Sequence, residues 1–135
     1  MTARLPLLAG SVLGGLAVAL GAFGAHWLRD AVNHWGLDAD QQTRQLEVWD
    51  VAVRYQMYHA LALLVVGLLI GRSESSRWLR SATWLFIVGV SVFSGLLYAL
   101  VLTGLKVLGA FVPIGGAALI AGWIAVGCGA SSREH

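Results

Sequence analysis

The sequence predicts an all-α fold, an integral membrane four-helix bundle that forms a single domain over residues 1–135. Three observations carry that prediction. Hydrophobic residues make up 58 % of the chain and charged residues only 12 %, with a mean hydropathy of +0.75. A soluble domain runs at roughly 45–50 % apolar and about 25 % charged, so the charges here are too few to build a water-facing surface. The uncharged residues also gather into four blocks, 5–28, 55–71, 81–105 and 107–132, of 24, 17, 25 and 26 residues. About 20 mostly apolar residues cross the hydrocarbon core of a bilayer, so each block is about one span long. Finally, small residues recur every three or four positions within the blocks, which lets membrane helices approach closely. The predicted spans are about 5–27, 51–71, 78–102 and 113–130, with a polar loop at about 28–50.

The same composition excludes several functions. Nine Lys and Arg against seven Asp and Glu give a formal charge of +2. It comes from scattered arginines, with no basic cluster or aromatic platform for nucleic acid. Cys128 is the only cysteine, so neither an intrachain disulfide nor a multi-cysteine metal site can form. The N-terminus resembles a signal peptide, with Arg4, an apolar run and small residues at Ala22–Ala25. Its apolar run outlasts the roughly 7–15 residues of a signal core, which predicts a retained first span.

In the first span Gly10, Gly14, Ala17, Gly21 and Gly24 fall in one stripe, and in the fourth Gly115, Ala118, Gly122, Ala125 and Gly129 do the same. The third span offers Ser91, Gly95 and Ala99, and the second Gly67 and Gly71. Gly10, Gly14, Gly21, Gly95, Gly115 and Gly122 are therefore assigned to helix packing. Between the first two spans, Gly36 marks a break, and Asp38 and Asp40 suit the first turn of a new helix. From there Leu46, Trp49, Val53, Gln56, Ala60, Leu63 and Gly67 follow a three-four repeat, which predicts one helix from about Asp40 to Ile70. At about 1.5 Å per residue such a helix exceeds a roughly 30 Å core, so an amphipathic extension must precede the second span. Asp50 and Arg54 stand at i, i+4 in the order that favours a helical ion pair.

A tight polar turn at Arg72–Arg80 leads into the third span. The fourth starts near Pro113, where a missing N–H costs nothing, or as a kinked helix from about Val107. Arg4, Arg72, Arg77, Arg80 and Arg133 fall on one side of the membrane, and Arg29, Arg44, Arg54 and Lys106 on the other. The excess in short segments places both termini in the cytoplasm.

Polar side chains at membrane depth are the candidates for chemistry, because leaving one unpaired there is costly. Tyr55, Gln56 and His59 share a wedge of about 100° on the second span. His26 ends the first span at the same membrane face, and Tyr98 of the third lies toward it. The expected binding wedge, near the outer leaflet, is His26, Tyr55, Gln56, His59 and Tyr98. Three readings stay open: interhelical hydrogen bonds that hold the bundle, a pocket for a lipid, quinone or other small hydrophobic ligand, or, as the remotest, a haem, copper or proton-relay role for the histidines. Cys-x-x-Cys-His and His-x-x-x-His are missing and no carboxylate neighbours either histidine, so no cofactor or metal is expected. Catalytic patterns such as Gly-x-Ser-x-Gly and paired intramembrane carboxylates are missing too, so no enzyme activity is expected.

Several strings occur together: Gly21-Ala22-Phe23-Gly24-Ala25-His26, Tyr55-Gln56-Met57-Tyr58-His59-Ala60-Leu61, Ser94-Gly95 with Tyr98, Leu102-Thr103-Gly104, and Pro113-Ile114-Gly115-Gly116 with Gly122-Trp123. In this order and spacing the chain resembles, from about Leu8 to Trp123, the small bacterial inner-membrane family of unknown function that includes YgdD and YwdK and has mitochondrial relatives. The resemblance implies four helices and a location in the bacterial inner (cytoplasmic) membrane. It marks His26, Tyr55, Gln56, His59 and Pro113 as motif positions and supplies no activity, cofactor or substrate. The expected role is a non-enzymatic accessory or structural subunit in the lipid bilayer, forming a homo-oligomer or joining a larger membrane complex. Binding or transport of a small hydrophobic ligand is the alternative.

Overall fold

The computed structural model describes residues 2–72 and 76–131; Arg133, used above for orientation, and part of the polar turn at Arg72–Arg80 lie outside the described residues. Four helices are long and apolar enough to cross a membrane: α1 (Arg4–Val32), α2 (Ala39–Arg72), α3 (Arg77–Thr103) and α4 (Val112–Ser131), the last preceded by a 3-10 turn at Lys106–Ala110. No strand occurs among the described residues.

Helix α1 runs past the predicted end of its span. Leu28 and Val32, one helical turn apart, are buried with Trp49 and Val101, so the apolar face continues beneath the charged Arg29 and Asp30. The predicted polar loop therefore shrinks to residues 33–38, where Gly36 at φ +68 reverses the chain. A reciprocal cap then starts α2: Asp38 Oδ1 accepts from the Gln41 N–H at 2.8 Å, and Gln41 Oε1 accepts from the Asp38 N–H at 3.2 Å. The 34 residues of α2 extend about 50 Å at 1.5 Å per residue, well beyond one hydrocarbon core. On that extension Asp50 and Arg54 pair at 3.0 Å, both exposed, which contributes little to stability.

Ser76 opens α3 by accepting from the Trp78 N–H, and Gly104 at φ +70 closes it with an N–H bond to the Leu100 carbonyl at 2.9 Å. The turn at Lys106–Ala110 makes i→i+3 bonds of 3.1 Å from Leu108 to Leu105 and from Phe111 to Leu108. Helix α4 is thus a fresh start at Val112 rather than one kinked helix from Val107.

The helices pack in chain order, α1 on α2, α2 on α3 and α3 on α4, while α1 and α4 make no substantial contact among the described residues. The bundle is therefore open. One apolar cluster joins Leu63 and Val66 of α2 to Phe86 and Val90 of α3 and Leu119 of α4. The other, at the end carrying the α1–α2 loop, gathers Leu28, Val32, Trp49 and Val101. Glycines permit the close approaches. A Cβ at Gly10 would stand 2.7 Å from the Ala60 carbonyl oxygen, and one at Gly122 would stand 2.6 Å from the Phe86 ring. Gly14 and Gly21 are looser, at 3.8 Å and 3.4 Å from their nearest neighbours.

The assignment of Gly95 to packing does not hold within the chain. It is exposed, and no atom lies within 4 Å of where its Cβ would stand. The inward face of α3 mixes bulky Leu79, Phe86 and Val90 with small Ala82, Thr83, Gly89 and Ser94, and its close-approach glycine is Gly89, set against Leu119. A search for small residues found the opposite side of the helix.

Candidate functional site

Three buried polar side chains at membrane depth, Gln56, Ser94 and His59, tie the helices together. Gln56, buried on α2, donates from Nε2 to the Leu13 carbonyl of α1 at 2.9 Å and accepts at Oε1 from the Tyr98 hydroxyl of α3 at 2.9 Å. One amide thereby joins three helices and spends both ends. Ser94 of α3 donates to the Ala52 carbonyl of α2 at 2.8 Å. His59 of α2 lies with Nδ1 2.7 Å from the Tyr55 carbonyl, and its Nε2 accepts from the Trp123 indole of α4 at 3.1 Å. A carbonyl only accepts and an indole N–H only donates, so together they assign the neutral Nδ1–H tautomer. Both ring nitrogens are engaged, which leaves His59 no lone pair for a metal or haem iron while these bonds hold.

Above this level Trp49 of α2 donates its indole N–H to the Leu20 carbonyl at 2.9 Å. It faces Gly24, where α1 widens into a π-type turn over Gly24–Leu28. Trp49 also packs on Phe23 and Tyr98, with ring centroids 5.4 Å and 4.6 Å apart. A Cβ at Gly24 would stand 2.5 Å from the Trp49 ring. Gly24→Ala is accordingly expected to displace the indole, break its bond to Leu20 and cost about 1–3 kcal/mol. Thermal unfolding in detergent measures this, and an unchanged midpoint would contradict the packing described.

The predicted wedge splits in two. Gln56 and Tyr98 meet in the α1–α2–α3 seam, whereas Tyr55 and His59 turn toward α3 and α4. There they border a crevice of about 510 Å³ lined by Tyr58, Phe93, Leu119 and Trp123 among others. Tyr55 stacks on Phe93 at 4.7 Å, and Trp123 meets Phe86 edge-on at 5.3 Å. His26 does not join either group; it is exposed, outside both. It lies two residues from Gly24, which faces Trp49, and two from buried Leu28, so it points to the side of α1 away from α2. Nor is it at the depth of His59: Gly24 lies against Trp49 and Gly10 against Ala60, so His26 stands at least ten residues of α2, about 15 Å, from that histidine. Sequence reasoning missed Trp123 and Trp49 as members of the polar network. For Trp123 the available signal was a tryptophan in mid-span, away from the interfacial belts, whose N–H needs an acceptor in hydrocarbon; Trp49, just before the predicted second span, carried no such signal.

This arrangement defines a class: a small multi-pass membrane protein of four helices joined at membrane depth by hydrogen bonds from buried Gln56, His59 and Ser94. Within that class, the chain belongs to the family described as "Protein of unknown function (DUF423)", whose profile it matches over residues 20–116. It is 43 % identical over 122 residues to the UPF0382 membrane protein SAB0533 of Staphylococcus aureus (strain bovine RF122 / ET3-1), covering 90 % of each chain. It is 40 % identical over 120 residues to the UPF0382 membrane protein YwdK of Bacillus subtilis (strain 168), covering 89 % of this chain and 90 % of that one. No solved structure matches it.

Proposed function

We propose that the protein is a non-enzymatic accessory or structural subunit of the bacterial inner membrane, with both termini in the cytoplasm, that associates with itself or with a larger membrane complex. The observation that carries this reading is the open row of helices. Only 17 % of the apolar stretch of each outer span is buried, against 44 % of the second. Gly15 on α1 and Gly127 on α4 have open space where a Cβ would stand, and such positions admit a neighbouring helix. The polar network adds support, because its groups are occupied with one another and leave no carboxylate or nucleophile poised for reaction. Extraction in mild detergent followed by mass measurement tests the reading. The expected particle holds a second copy or a second protein in fixed ratio; a monomer carrying only detergent and lipid would contradict it.

A second reading rests on the crevice beside His59. Its volume of about 510 Å³ falls within the roughly 300–1,000 Å³ of small-molecule sites, and its aromatic lining suits a flat hydrophobic ligand. The same preparation decides between the two. A stoichiometric small molecule without a protein partner would favour this reading.

A further inference from the structure

A second crevice, of about 470 Å³, lies at the end of the bundle that carries the α1–α2 loop. It separates the first turns of α2 from the connection between α3 and α4, and its lining is Leu37, Gln41, Arg44, Gln45, Gly104 and Lys106. Two cations line it and no carboxylate does. Among the described residues neither Arg44 nor Lys106 forms an ion pair, the pair on this helix being Asp50 with Arg54. Asp38 and Asp40 each adjoin a lining residue in sequence; Asp38 is engaged in the cap with Gln41, and Asp40, four residues before Arg44, forms no ion pair with it among the described residues. The amide oxygen of Gln45 is buried without a hydrogen-bond partner. An unpaired buried acceptor costs on the order of 1–3 kcal/mol, so it calls for a donor.

The position of the crevice narrows what supplies that donor. It sits where the apolar run of α3 ends, and Lys106 is flanked by Leu105 and Val107, which are 56 % and 62 % exposed. Exposed apolar side chains on both sides of a lysine hold the connection in the membrane interface, so the crevice opens at the depth of lipid headgroups. We propose that it binds the headgroup of an anionic phospholipid, with the phosphodiester between Arg44 and Lys106 and, once the Gln45 amide turns from its buried position toward the crevice, a headgroup hydroxyl donating to Gln45 Oε1. A phosphate alone satisfies the cations but brings no acyl chains to the apolar rim, and a choline headgroup brings no donor to Gln45.

Native mass spectrometry of the detergent-purified full chain, with equal amounts of added phosphatidylglycerol or phosphatidylcholine, tests the assignment. Phosphatidylglycerol is expected to be retained preferentially. Arg44→Gln and Lys106→Gln should each weaken its binding about fivefold, the effect of one interfacial cation. Gln45→Met should reduce the preference for phosphatidylglycerol, and Lys106→Arg should preserve it. These positions lie at the rim of the fold, and circular dichroism of each variant in lipid-free detergent confirms its helicity. Equal binding of the two lipids, or unaltered binding by both charge-removing variants of normal helicity, would overturn the proposal. So would displacement of the lipid by excess inorganic phosphate, which would make this a site for a soluble anion.

Discussion

Gly115→Ala is expected to lower the stability of the protein by about 1–3 kcal/mol, the usual cost of forcing an atom into a well-packed contact. The added Cβ would stand 2.5 Å from the Phe93 backbone nitrogen and 2.9 Å from its Cα. Those atoms belong to the main chain of α3, so no rotamer change relieves the clash, and α3 and α4 must move apart. Separation also weakens the neighbouring contacts of Gly122 with Phe86 and of Gly89 with Leu119. The informative control is Gly95→Ala, which introduces the same methyl group where nothing lies within 4 Å. That change should stay within about 0.5 kcal/mol, as surface substitutions do. Thermal or denaturant unfolding of both variants in one detergent reads the difference, and equal effects would contradict the packing of α4 on α3.

Gln56→Leu should cost about 1–3 kcal/mol for a different reason. The Leu13 carbonyl sits within helix α1, but the Tyr98 hydroxyl loses the acceptor the structure gives it and is left in a low-dielectric seam. Removing that hydroxyl as well should restore part of the loss. The double variant Gln56→Leu with Tyr98→Phe is therefore expected to be more stable than the sum of the single effects predicts, by about 0.5–1.5 kcal/mol. Additive effects would mean that the Gln56–Tyr98 bond contributes nothing to holding α2 against α3.

The helices were legible because each depends on a local signal. Charge-free blocks of span length and the break at Gly36 followed by Asp38 act within a few residues of the boundaries they set. The extension of α1 to Val32 was not legible, because Arg29 and Asp30 raise the local polarity while Leu28 and Val32 face inward. Lateral packing was only half legible. The stripes on α1 and α4 are glycine-lined and point at their partners, but on α3 the face with Gly89 and Ser94 turns inward and the stripe with Ser91 and Gly95 turns outward. Composition can mark which positions permit close approach; which neighbour arrives is a property of the whole fold. The same limit explains the candidate site. Gln56 and Tyr98 were recognised as polar groups needing partners and do find each other. His26 was judged by depth alone, and the partner of His59 proved to be Trp123, 64 positions away in sequence.

The central claim is that the outer faces of α1 and α4 are covered by another membrane protein. Site-specific photo-crosslinking in living cells tests it most directly, with a photoreactive residue placed at Leu16 on α1 or Ile124 on α4, which are 50 % and 62 % exposed. The account predicts a discrete protein adduct from at least one of these faces, either a second copy of this chain or one recurrent partner. Labelling of lipid alone from both faces would contradict it.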